Sequence, residues 1–314
     1  MSAAGTLGAP GPIELVADAR AELGEGPVWD AHRGQLLWLG LSGGVLHFYD
    51  PGTGADRGVN LGRMLGSLVP DGLGGVIVAA AGGLFQLGDD GRLRQLLALE
   101  ESLPGGVPND SCCDPAGNLW VGITTVGEVA GAGSLYRVTP DLTATKVLSG
   151  LTVPNGIDWS PDGRTAYFAD SPAYRIDAFQ FDPASQSLGE RSTFASFQPC
   201  GGAPDGLTVD AEGYVWVALW GVWSVRRYRP DGQLDLVVEV PVERVSSYGF
   251  GGAGLRNLYV TTASPGADAD SRQAQPAAGG LFRYLAPAAG RPVRPFRLAE
   301  QGPPPANTGA PPRP

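Results

Sequence analysis

Residues 160–170 read SPDGRTAYFAD, a Pro-Asp-Gly turn followed at once by a short run rich in β-formers. Five other segments repeat the form: DAHRGQLLWLG at 30–40, DGLGGVIVAA at 71–80, DPAGNLWVGI at 114–123, DAEGYVWVAL at 210–219 and GAGLRNLYVT at 252–261. Aligned on Gly34, Gly74, Gly117, Gly163, Gly213 and Gly254, the segments recur at intervals of 40, 43, 46, 50 and 41 residues. That is the length of one four-stranded propeller blade. Around the first segment the remaining strands follow in order: NGIDWS before the turn, then YRIDAFQFD and RSTFASF after TAYFADS. No comparable stretch carries a helical period.

Six blades nearly exhaust the 314 residues, so the expected fold is all-β: a single six-bladed β-propeller of four-stranded blades over residues 13–300. IELVADA at 13–19 supplies the outer strand missing from the last blade, whose GGLFRYLA spans 279–286; the ring closes and a free sheet edge disappears. Residues 1–12 are expected to be a flexible leader, 266–278 (GADADSRQAQPAA) a mobile loop, and 301–314 (QGPPPANTGAPPRP) a disordered Pro-rich tail.

Composition narrows the chemistry. A formal charge of −10, with Lys146 the only lysine, argues against nucleic acid or an anionic membrane as partner. Cys112, Cys113 and Cys200 form no CxxC, which leaves neither a disulfide framework nor a thiolate zinc site. His32 lies in a polar turn and His47 in a strand, and two such histidines make Ser-His-Asp catalysis a poor reading. The first twenty residues lack a basic start and a signal-length apolar run. The expectation is a cytoplasmic protein, monomeric or weakly homo-oligomeric, that acts on a small molecule.

Counting eight residues back from Gly117, Gly163 and Gly213 reaches Asn109, Asn155 and Asp205, and nine back from Gly34 reaches Glu25. Gly66 and Ser246 occupy the place in the other two blades. Asn-Gly and Asp-Gly are also ordinary turn signals, but radial symmetry makes equivalent positions converge on one axis. Carboxylates brought together there repel unless a cation lies between them. Two carboxylates and two amide oxygens are hard donors, suited to Ca²⁺, Mg²⁺ or Mn²⁺ and less to Zn²⁺. Asp110 and Asp158, each near a site asparagine, read as structural, because strand alternation turns Asp110 away from the axis. The adjacent cysteines read as packing.

LGEGPVWD at 23–30, PND with CDPAGNLWVG at 108–122, GSLYRV at 133–138, VPNGIDWSPDGRTAYFADS at 153–171, GAPDGLTVDAEGYVWVALWG at 202–221 and LRNLYVTTA at 255–263 resemble the gluconolactonase and senescence-marker (regucalcin-like) family of six-bladed propellers. The resemblance spans roughly residues 13–286. It implies one divalent cation, Ca²⁺ foremost, held by Glu25, Asn155 and Asp205, with Asn109 beside it or touching substrate. It also implies lactone hydrolysis with Asp205 as base.

Departures from the family pattern fall where substrate is read. The usual R-x-N-D is Val107-Pro108-Asn109-Asp110, WVDI is WLGL at 38–41 with Gly40 at the acidic place, and the small residues after WG are Val222 and Trp223. Trp220 reads as blade packing, whereas Val107 and Trp223 would make the pocket less polar. Three functions stay open: a metal-dependent lactonase on a substrate less polar than an aldonolactone, a metal-bearing propeller turned to isomerisation or cyclisation, and a non-catalytic metal- or ligand-binding propeller.

Overall fold

The computed structural model describes residues 12–88, 90–99, 105–264, 266 and 269–299. Its strands fall into six four-stranded antiparallel sheets. The first blade is β2 (Gly24–Asp30), β3 (Gln35–Gly40), β4 (Val45–Asp50) and β5 (Ala55–Asn60); the second is β6 (Leu65–Pro70), β7 (Val76–Ala80), β8 (Gly83–Leu87) and β9 (Leu93–Leu97). The third comprises β10 (Gly106–Cys113), β11 (Leu119–Thr125), β12 (Gly133–Val138) and β13 (Ala144–Leu151), the fourth β14 (Pro154–Trp159), β15 (Thr165–Asp170), β16 (Arg175–Asp182) and β17 (Ser187–Ser196). The fifth is β18 (Ala203–Val209), β19 (Val215–Trp220), β20 (Ser224–Tyr228) and β21 (Leu234–Glu239). In the sixth, β22 (Val245–Gly251), β23 (Asn257–Thr262) and β24 (Leu281–Leu285) are completed by β1 (Glu14–Ala17). The chain therefore closes its own ring: Glu14 pairs with Arg283 in the ladder, and the Arg283 guanidinium donates to the Glu14 carboxylate at 2.7 Å.

Burial grades outward within each blade. Second strands such as LWVGITT in β11 are buried along their whole length, because neighbouring sheets cover both faces; outer strands such as ATKVLSGL in β13 are mostly exposed. Large aromatics fill the wedges between blades: Trp120, Trp159 and Phe181 meet edge to face with centroids 5.5–6.1 Å apart.

The repeated Asp-x-x-Gly-x-x-Trp turn has a mechanical basis. Asp114 accepts the Ala116 and Asn118 amides, holding the turn, and its other oxygen takes the Trp120 indole N–H at 3.0 Å. Asp210 repeats this with Glu212, Tyr214 and Trp216. Gly117 and Gly213 sit at φ of +87° and +86°, where a side chain would be strained.

Two segments differ from expectation or lay outside it. Residues 269–274, expected as loop, form a short helix, α1 (Ala269–Ala274), with Asp270 in its first turn and Arg272 in its last, which suits the helix dipole. Gln275 after it is buried and accepts the Glu243 amide at 2.8 Å. The expected leader at 1–12 and tail at 301–314 lie outside the described residues, apart from Pro12. Residues 286–299 form a strap without regular structure. It is tied in turn to Arg256, Leu255, Ala211, Pro70, Gly117 and Pro140 by backbone hydrogen bonds, with Phe296 fully buried. No helix among the described residues is long and apolar enough to cross a membrane.

Candidate functional site

The innermost strand of every blade carries a register shift at the same place. The shifts fall between Glu25 and Val28, Leu65 and Ser67, Pro108 and Ser111, Pro154 and Ile157, Pro204 and Leu207, and Val245 and Ser247. Glu25 opens its bulge, and Gly66, Asn109, Asn155, Asp205 and Ser246 lie within theirs. A bulge frees residues from strand alternation and re-aims side chains, so the six repeat positions become a ring of groups around the axis. Asn-Gly and Asp-Gly are thus bulges in strands here, not turns. Their glycines let adjacent inner strands touch: a Cβ on Gly156 would strike the Leu207 amide nitrogen, and one on Gly206 the Ser247 hydroxyl.

Within the ring the donors are held by neighbours. Asn155 Nδ2 donates to Ser171 Oγ at 3.0 Å, and Ser171 donates to the Pro204 carbonyl at 2.7 Å, which fixes the Asn155 amide and joins the fourth and fifth blades. Asn155 also hydrogen-bonds the Asp205 carboxylate. Asn109 Nδ2 donates to the Pro154 carbonyl at 3.0 Å, beside Asn155. Glu25 accepts from the Gly26 amide at 3.0 Å and from the Ser247 side chain.

The acids disfavour one another's charge. Burial, then the Asp205 and Asp110 charges, push the Glu25 carboxyl well above its usual range. Asp205 is likewise raised, by burial first, then by Asp110 and Glu128, with Asn155 opposing. Burial lifts Asp110 to about 6 against the pull of the Ser111 amide. Among the described residues, no arginine, lysine or histidine is a main contributor to the shifts of these three carboxyls.

The placement of Asp110 corrects the expectation from alternation. The bulge at 109–110 interrupts the period, and Asp110 lines a cavity of about 110 Å³ on the axis instead of pointing away from it. Residues just beyond each bulge line the same cavity, Asp158 and Cys112 among them, and strap residues 291–294 wall its far end. Asp158 accepts from Arg291 at 2.6 Å, Arg294 at 3.0 Å and the Val209 amide at 2.8 Å, which makes it the anchor of the strap.

Val107 is half-buried and pairs with Thr124 at the strand end where Asn109 enters. Trp223 is 42% exposed, at φ +57°, in the β19–β20 loop; its backbone contacts run to Glu243 and Val240. Among the described residues, Trp223 makes no hydrogen bond to a ring residue. Ser171 and Ser247 escaped the sequence reading because their roles depend on the neighbouring blade, although Ser171 closes the quoted FADS motif.

Among the described residues no three His, Cys, Asp or Glu side chains are grouped to hold a metal. A cation at this ring has to take an amide oxygen, and the donor set fits that requirement: Glu25 and Asp205 are hard anionic donors without a counter-charge, and the Asn155 nitrogen is committed to Ser171 and Asp205, leaving its carbonyl oxygen available.

The SMP-30/gluconolactonase/LRE-like region matches residues 23–264. The chain belongs to that family. SMP-30/gluconolactonase relatives include regucalcin from Xenopus laevis, 32% identical with 86% of this chain and 93% of that protein covered, and the pentonolactonase XacC from Haloferax volcanii, 34% identical over 89% and 96%. Among solved structures, a calcium-binding regucalcin from Agrobacterium tumefaciens superposes with a TM-score of 0.86 at 31% identity, covering 91% of this chain and 97% of that one. A luciferin-regenerating enzyme gives 0.85 at 26%, covering 92% and 100%. Relatives named as lactonases, the pentonolactonase XacC among them, support an enzyme that hydrolyses lactones.

Proposed function

We propose that the protein is a divalent-metal-dependent hydrolase that opens a lactone less polar than an aldonolactone. One observation carries the reading: the bulges gather Glu25, Asp205 and Asp110 around one axis, and among the described residues no arginine or lysine is a main contributor to their shifts. Buried like charges persist only if protonated or matched by a cation. Glu25, Asn155 and Asp205 would hold that cation, Ca²⁺ foremost, with Mg²⁺, Mn²⁺ and Zn²⁺ as alternatives. Bound there, it supplies charge compensation and polarises an ester carbonyl.

The chain's own residues do the rest. The Asp205 carboxylate takes a proton from the attacking water and returns it to the leaving oxygen of the ring. Asn109, anchored through its nitrogen on the Pro154 carbonyl, presents its side-chain oxygen to substrate. Val107, where the family pattern has arginine, offers apolar area in place of a charge-assisted hydrogen bond worth about 1.5–3 kcal/mol. Trp223 is assigned to the rim on its loop position and exposure. The reading also takes the protein to be cytoplasmic, a monomer or weak homo-oligomer.

The test is a panel of alkyl-substituted lactones and gluconolactone assayed after chelation and after Ca²⁺ is restored, in ¹⁸O-labelled water. Activity that returns with the cation, label in the hydroxy-acid product and preference for alkyl lactones support the reading. Gluconolactone as best substrate overturns the polarity claim. The non-hydrolytic reading gains support from the likeness to a luciferin-regenerating enzyme; cation-dependent turnover without label would favour it.

A further inference from the structure

The loop at 126–132 gives the mouth of the ring a charge of its own. Gly106 pairs with Thr125 and Val107 with Thr124, so this loop leaves the sheet where the chain enters toward Asn109. It is pinned on both sides: the Val129 amide donates to Thr125 Oγ1 at 3.0 Å, and the Gly131 amide to Thr152 Oγ1 at 3.2 Å, three residues before Asn155. Thr124 Oγ1 donates to the Thr152 carbonyl at 2.8 Å, which braces the same corner. At the loop's apex Glu128 is exposed and held at φ +52°, its amide bonded to the Thr125 carbonyl at 2.9 Å, with Val126 and Val129 exposed on either side. Its carboxylate is close enough to act on Asp205.

Two arginines near this end are turned elsewhere. Arg63 donates to the Ala81 carbonyl and stacks 4.2 Å over Phe85; Arg244 donates to the Ser264 carbonyl and lies 5.3 Å over Trp220. Val107 adds no positive charge. A divalent cation held by Glu25 and Asp205 is neutralised by those two carboxylates, so the Glu128 charge stands uncompensated toward an incoming molecule.

We propose that Glu128 makes this mouth select substrate by charge, admitting neutral and cationic, amine-bearing lactones in preference to lactones that carry a carboxylate or phosphate. The inference rests on the hydrolase reading and narrows its substrate class. The flanking valines suit alkyl groups on the same molecule, so a methylated ammonium is the fullest match for the rim.

The test uses the full chain with saturating CaCl₂ and two γ-butyrolactones substituted at the same carbon, one with trimethylammonium and one with carboxylate. Wild type should favour the cation in kcat/KM. Glu128→Gln should lower the cation-to-anion ratio by about 2- to 5-fold and Glu128→Lys by about 5- to 20-fold, the range for exposed charge pairs. Raising the salt to about 0.5 M should shrink the wild-type preference. An unchanged ratio in Glu128→Lys overturns the proposal. The matching tetrahydrofuran analogues, which lack the ester, are compared by calorimetry in the same variants. If neither lactone is hydrolysed, the hydrolase reading fails, while tighter binding of the cationic analogue, weakened in Glu128→Lys, still supports the charge selection. Equal or undetectable binding of both analogues overturns it.

Discussion

Asp158 and Asp205 lie on the inner strands of neighbouring blades, 6% and 8% exposed, yet they face opposite electrostatic settings. Asp158, toward the strap, is met by two guanidinium groups and two backbone amides, which is what a buried charge requires for a structural role. Asp205, at the bulge, is met by Asn155 and by further acids. Equal burial with unequal compensation separates a carboxylate that locks the fold from the one proposed to take a ligand.

The largest expected effect tests the uncompensated member. Asp205→Asn should lose about 10²–10⁴-fold in turnover if the carboxylate handles the proton of the attacking water, while its amide oxygen can still face the cation. Full activity at saturating Ca²⁺ would move the base elsewhere. Asp158→Asn should behave in the opposite way, with kcat/KM retained and unfolding free energy down by about 1–3 kcal/mol. That is less than a fully buried pair loses, because Arg291 and Arg294 are 17% and 24% exposed. Denaturant melts alongside steady-state kinetics would show it, and an activity loss matching that of Asp205→Asn would erase the distinction.

The same contrast shows what could be read from residues alone. The turn glycines and the repeat position of Glu25, Asn109, Asn155 and Asp205 were legible because one blade's geometry is written six times. Asp110 was not, since its direction depends on a bulge, and a bulge changes hydrogen-bond register without a residue signature of its own. The strap was equally hidden: Arg291, Arg294 and Phe296 carry no strand or helix period, and their partners lie more than a hundred residues away in Asp158 and Val69. The helix at 269–274 was hidden because six polar and small residues between Gly266 and Pro276 are too short a run to show a helical apolar period.

We propose that the acids gathered at the axis are held in readiness for a cation. Glu25, Asp110 and Asp205 have folded-state pKa values above their unfolded ones, so each favours the fold while protonated. That contribution is whole below about pH 4 and is lost as pH rises, through about 6 for Asp110. The decisive measurement is the melting temperature of chelator-stripped protein at pH 5 and pH 8, with and without CaCl₂, in wild type and Glu25→Gln. The metal-free wild type should melt lower at pH 8, Asp110 alone accounting for on the order of 1–2 kcal/mol. Ca²⁺ should restore far more at pH 8 than at pH 5, and Glu25→Gln should reduce both effects. A metal-free melting temperature that is flat or rises between these pH values, together with no stabilisation by Ca²⁺, would contradict it.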